Sequence, residues 1–151
     1  MTGAIRPPRS PVGIERRVRE ALHGRGLRCT TTRVQAMQIL TASGRHLTVP
    51  QIYERMSTSH QSLDISSVYR TVATLEQLGL VHAVTVCDRP AAYGPADEPH
   101  HHAICTCCGT TTEVPAARLA QAVRSARRGS DFTLADHASL ELHGLCPACR
   151  A

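Results

Sequence analysis

The chain is predicted to be an α+β protein, an N-terminal winged helix-turn-helix domain followed by a small C-terminal α/β domain. Three observations predict this. Four helix-length segments with apolar residues at helical spacing follow one another between Ile14 and Gly79. Two β-like runs, 80–86 and 91–93, come directly after the fourth, and helices closed by a short hairpin are the parts of a winged helix. Beyond a Pro- and acid-rich stretch at 94–99, strand-like and helix-like segments alternate, framed by two cysteine pairs.

Taken in order, residues 1–13 are rich in Pro, Gly and Arg and read as a disordered basic tail. Ile14, Val18 and Leu22 repeat every four residues, which predicts a first helix ended by Gly24 and Gly26. Thr30, Thr31 and Thr32 offer N-caps for a second, carrying Val34, Met37, Ile39 and Leu40 and closed by Ser43 and Gly44. Thr48 caps the third, where Pro50 in the first turn forfeits no hydrogen bond and Val49, Ile52, Tyr53 and Met56 face inward. Ser66 reads as the cap of the fourth, with Val68, Val72, Leu75 and Leu78 on one face and Gly79 as the stop. Residues 87–90 form the hairpin turn. Further on, 102–105 and 110–114 read as strands, 116–128 as a helix and 134–142 as a final strand. The domains are therefore expected at 14–94 and 100–151, with a hinge at 95–99.

Hydrophobic residues make up 42% of the 151 and charged ones 19%, enough apolar mass for a core and too little charge for a disordered chain. With no Trp, one Phe and three Tyr, the cores are aliphatic and small, the situation in which a metal or a partner chain supplements stability. The net charge of +5 suits a polyanionic partner. The arginines concentrate early: Arg6, Arg9, Arg16, Arg17, Arg19, Arg25, Arg28 and Arg33 stand against only Glu15 and Glu20, either a phosphate-contacting surface or a solvated basic front end. No apolar run approaches bilayer length and no signal-peptide core opens the chain, so a cytoplasmic, membrane-free protein is expected. In that compartment seven cysteines point to metal before disulfides. Neither a His-Glu-x-x-His helix nor a nucleophile elbow is present, which argues against an enzyme.

The strongest chemical signal is Cys105-x-x-Cys108 with Cys146-x-x-Cys149. Two residues between thiolates let both sulfurs reach one tetrahedral ion, and two such turns complete a closed, structural zinc site. The 37 residues between Cys108 and Cys146 leave room for a strand, helix and strand, so the ion would clamp both ends of the domain. Cys107 reads as a spectator and Cys29 as a packing residue.

The fourth helix begins Asp64-Ile65-Ser66-Ser67-Val68-Tyr69-Arg70-Thr71. Ser67, Tyr69, Arg70 and Thr74 on its N-terminal part suit phosphates and base edges. This segment resembles the recognition-helix motif of the ferric-uptake regulator (Fur) family. Further resemblances lie in Gly26-Leu27-Arg28-Cys29-Thr30 with Arg33, in 46–53 from His46 to Tyr53, in Leu78-Gly79-Leu80-Val81, and in 100–105 with the two Cys pairs, covering roughly 14–150. The resemblance implies a homodimer joined through 100–151 that represses genes by binding palindromic double-stranded operator DNA when a regulatory metal is bound. It also implies that Tyr69 and Arg70 touch DNA, with Arg33, Ser67 and Thr74 as further candidates.

A sensor needs a second, reversible site. His100 and His102 alternate along an extended segment and share one face, while His101 points the other way. The resemblance adds His46 and the carboxylate Glu113 as regulatory ligands, a set compatible with zinc, iron, manganese or nickel. It also shows departures. Gly94 follows Tyr93 where iron and peroxide sensors of the family carry a carboxylate, and the cysteine zinc sensors often place near there is missing too. His82 matches a histidine used by some zinc sensors, and Cys87 lies nearby, so both join the candidates and zinc is favoured. Of the family's third site, His101 and His137 match two ligands, but Pro99 and Ala120 stand where two others belong. The alternatives are an iron-, manganese-, nickel- or peroxide-responsive repressor of the same family, or a metal buffer that binds no DNA.

Overall fold

The structure, a computed structural model, describes residues 10–59, 62–86, 88–131, 133 and 139–150. It divides into two compact units, with the boundary between Glu98 and Pro99.

The first unit opens with α1 (Pro11–His23), capped by the Ser10 hydroxyl, which accepts from the Gly13 N–H at 3.2 Å. The tail reading therefore fails for residues 11–13. Pro11 is a good first-turn residue and Ser10 a good cap, so the helix starts before its apolar repeat does. Then come α2 (Thr31–Ser43), capped by Thr30 and ended by left-handed Gly44, the two-residue β1 (Leu47–Thr48) and α3 (Val49–Ser57). The Gln51 side chain accepts from the Thr48 N–H at 3.0 Å, closing the start of α3.

Next is α4 (Ile65–Gln77), and its cap is Asp64, not Ser66. The Asp64 carboxylate accepts from both the N–H and the hydroxyl of Ser67, at 3.0 and 2.6 Å, which places Ser66 already inside the first turn. Strands β2 (Val81–Val84) and β3 (Ala92–Pro95) pair antiparallel, and β1 adds to the other edge of β3, giving the order β1-β3-β2. This is the wing. Pro95 lies opposite Val81 and the Ala96 N–H donates to the Leu80 carbonyl, so the expected hinge loses its first residues to the sheet. The Arg17 guanidinium donates to the Asp97 carboxylate, tying α1 to the chain just past β3. One aliphatic core, with Val18, Leu22, Met37, Leu40, Ile52, Met56, Val68 and Leu75 among its fully buried members, holds the helices together.

The second unit contains β4 (His100–Cys105), β5 (Thr111–Pro115), α5 (Ala116–Arg128) and β6 (Glu141–Gly144). The sheet order is β5-β4-β6, with β4 antiparallel to β5 and parallel to β6. The final strand is shorter and later than the expected 134–142. Residues 134–138 lie outside the described residues, and Ser139 and Leu140 direct polar groups at the histidines of β4. The apolar core here is slight: among the described residues only Ile104 and Cys105 are buried apolar side chains, and α5 buries none. No described helix is long and apolar enough to cross a membrane.

Candidate metal centres

The turns after β4 and β6 bring Cys105, Cys108, Cys146 and Cys149 together, with all four sulfurs within 4.8 Å of one another. Cys108 and Cys146 are 3.7 Å apart. A tetrahedral ion with metal–sulfur bonds of ~2.3 Å places its sulfurs ~3.8 Å apart, so the set fits zinc. The surroundings favour the thiolate. Backbone N–H groups of Cys108 and Cys146 pull the Cys105 thiol down to about 6, the Cys146 N–H lying 3.3 Å from its sulfur. The Thr110 hydroxyl, 3.1 Å from the Cys108 sulfur, lowers that thiol too. Cys149 is pushed up, chiefly by the adjoining Cys146 and Cys107 sulfurs. Four protein ligands leave no open coordination position, which fits a clamp rather than a catalyst. Cys107 and Cys29 are both exposed, and the packing reading of Cys29 does not hold.

On β4, the rings of His100 and His102 lie edge to face with centroids 4.9 Å apart. Strand alternation places them on one side, as the sequence suggested. Ser139 sets the chemistry of His102. Its single hydroxyl proton goes to the His100 carbonyl at 3.1 Å, so its oxygen accepts from Nδ1–H of His102 at 3.0 Å. That tautomer puts the lone pair on Nε2, the atom a metal would take. Glu113, cross-strand partner of His102, brings its carboxylate 3.9 Å from Nε2 of His100.

His101 is arranged the opposite way. The Leu140 N–H donates to its Nδ1 at 3.1 Å, so the ring proton sits on Nε2, which is buried without a hydrogen-bond partner among the described residues. Neither nitrogen offers a lone pair to an ion, which argues against His101 as a ligand. Nothing in the local pattern around Ser139 or Leu140 marks them as histidine partners.

In the first unit, His46, just before β1, and His82, on β2, approach to 2.8 Å between their Nε2 atoms, the rings meeting edge to face. His46 is buried. Two imidazole nitrogens this close share one hydrogen bond; as adjacent ligands of one tetrahedral ion, with bonds of ~2.0–2.1 Å, they would lose that proton and part to ~3.3–3.4 Å. Cys87 and His137 lie outside the described residues.

Along α4, Val68, Thr71, Val72 and Leu75 are buried, and Tyr69 and Arg70 are on the opposite, solvent-facing side. Tyr69 is 52% exposed, so its ring stands in solvent and not in the core. The Arg70 guanidinium donates to the Ser67 hydroxyl at 3.1 Å, and the Thr74 hydroxyl to the Arg70 carbonyl at 2.8 Å. The Arg33 guanidinium donates to the Arg28 carbonyl ahead of α2.

A winged helix followed by a small α/β unit with clustered thiols and histidines suits a metal-dependent transcriptional regulator, and it is family membership, not the fold alone, that assigns this role rather than an enzyme's. The chain belongs to the Ferric uptake regulator family, which residues 24–143 match. It is 25% identical over 130 residues to a peroxide-responsive repressor of Staphylococcus saprophyticus, covering 86% of this chain and 87% of that protein. It resembles the ferric uptake regulator of Helicobacter pylori, described as having three functional metal binding sites, with a TM-score of 0.83, 23% identity and 97% of each chain covered. A zinc-bound manganese uptake regulator matches with a TM-score of 0.67 and 30% identity over 85% of this chain and 98% of that one.

Proposed function

We propose that the protein is a cytoplasmic, zinc-responsive repressor that binds palindromic operator DNA as a homodimer. One zinc ion would be held permanently by Cys105, Cys108, Cys146 and Cys149. A second, exchangeable ion would take nitrogens of His46 and His82 from the first unit and of His100 and His102 from the second, with Glu113 available to it. Ligands drawn from both units would fix the spacing of the two α4 helices in a dimer, so that each meets one face of the operator. Tyr69 and Arg70 would then contact bases and phosphates, with Arg33, Ser67 and Thr74 beside them. Metal biases this equilibrium only by binding the DNA-competent state more tightly; a ~100-fold preference corresponds to about 2.7 kcal/mol of coupling.

The observation that carries the choice of zinc is the 2.8 Å approach of His46 and His82, two nitrogen donors where an oxygen donor would favour iron or manganese. The test is fluorescence anisotropy of operator DNA at fixed salt across zinc, iron(II), manganese and nickel, with His46→Ala and His82→Ala beside the native protein. Tight binding induced by zinc and lost in both variants supports the reading. Operator binding that ignores every metal sinks it. The peroxide-responsive relative supports a second reading, in which an iron-loaded form is switched off by peroxide. Peroxide added to the iron arm of the same experiment decides between them.

A further inference from the structure

Gly94 lies in the interior of β3, buried, directly opposite His82 on β2. Its backbone does not call for glycine. The glycines with positive φ are Gly26, Gly44, Gly79 and Gly109, and Gly94 is not among them. Glycine inside a strand weakens it, and where conformation does not demand one, the usual reason is close approach by another group. The approaching group is His46. A Cβ at position 94 would stand 2.5 Å from its Nε2, 2.7 Å from Cδ2 and 2.8 Å from Cε1, far inside contact distance for all three atoms. The imidazole thus lies flat over the glycine, with its Nε2 2.8 Å from Nε2 of His82.

We propose that Gly94 is the specificity-determining residue of the regulatory site. By having no side chain it admits the His46 ring between strands and forces this unit to present two nitrogens. Any side chain at 94 would push the ring off His82, and an acidic one would put an oxygen donor into the same space, shifting preference from zinc towards iron(II) and manganese. The ring, held by two side-chain torsions, yields more easily than the sheet, so the substitution acts on the pair and leaves the fold intact. This inference rests on His46 and His82 being regulatory ligands.

The test uses the full-length protein with zinc at its thiolate site, comparing native, Gly94→Ala, Gly94→Asp and His46→Ala forms. Cobalt(II) absorption reports ligand geometry, chelator competition gives zinc affinity, and electron paramagnetic resonance follows manganese. Imidazole nitrogen NMR of the form without regulatory metal reports the His46–His82 contact directly. Gly94→Ala is expected to lose that contact and about tenfold or more in zinc affinity at the second site. Gly94→Asp is expected to gain manganese affinity relative to zinc. Circular dichroism should be unchanged in both. If His46→Ala loses the second metal while Gly94→Ala keeps native affinity and spectrum, the inference fails and the regulatory reading stands. A native protein that takes up no second metal overturns both, and a Gly94→Ala protein that does not fold overturns the inference alone.

Discussion

Removing the ion from the four-thiolate site is expected to unfold the second unit and spare the first. The magnitudes come from how little else holds that unit. Ile104 is its one large, fully buried aliphatic side chain among the described residues, worth about 1.5–3 kcal/mol. Ordering backbone costs about 1–2 kcal/mol per residue, so the six residues of β4 alone outweigh that gain. Zinc in small structural sites contributes roughly 10–16 kcal/mol, a term large enough to reverse the balance. The perturbation is a thiol reagent with a chelator, or Cys146→Ser with Cys149→Ser. Among the described residues, four of the five helices lie in the first unit around its own core, so most helical circular dichroism should persist. Trypsin should then cut first in α5, at Arg118, Arg124, Arg127 and Arg128, and sedimentation should show monomers. A stripped protein that keeps α5 protected and stays dimeric would refute the reasoning.

Three further predictions concern single side chains. Asp64→Ala should destabilise α4, and because Ser67 holds the Asp64 carboxyl below its ordinary 3.8, the difference from native should be full above that value and shrink as pH falls through the depressed one, read by urea melts across pH. Arg70→Ala should cost about 1–3 kcal/mol of operator affinity at fixed salt while sparing metal binding, since its guanidinium is exposed on α4; unchanged affinity in anisotropy would remove α4 as the reading helix. Ser139→Ala should weaken the regulatory metal by about 10–100-fold and mix the His102 tautomers in nitrogen NMR, with Ser139→Thr restoring both; an unaltered tautomer would show that the hydroxyl does not set it.

Much of this protein is readable along the chain, because its signals are local. α5 starts and stops at the expected residues, Ala116 and Arg128, and Thr30 and Gly44 bound α2 as their cap chemistry requires. The Cys pairs announce their site because tetrahedral ligation imposes their spacing. Structure and local pattern part where neighbours of similar propensity compete: Ser10 and Pro11 extend α1 into a stretch that looks like tail, and Asp64 outcompetes Ser66 for the α4 cap. Residue pairs distant in sequence were harder. Gly94 was visible as a missing carboxylate, but the ring occupying its space comes from residue 46, and only the wing's register brings the two together. The same holds for Ser139 and Leu140, whose partners lie on β4.

The two donor sets divide the work by charge. Four thiolates are anionic, so a divalent ion among them is held by electrostatics as well as coordination, and the backbone N–H groups around Cys105 stabilise that charge before any ion arrives. Such a site releases its ion slowly, as a clamp must. In the proposed regulatory set the imidazoles are neutral and Glu113 adds a single negative charge, so that site would bind more weakly than four thiolates and could follow a changing supply. Its selectivity must therefore come from which nitrogens are presented, and that is where the unobtrusive residues act. Ser139 leaves the lone pair of His102 on Nε2, the Leu140 N–H occupies Nδ1 of His101 beside it, and the bare Cα of Gly94 leaves room for the His46 ring that meets His82. Substituting a ligand should abolish sensing and substituting Ser139 or Gly94 should retune it, whereas Leu140 acts through its backbone N–H, which only proline removes.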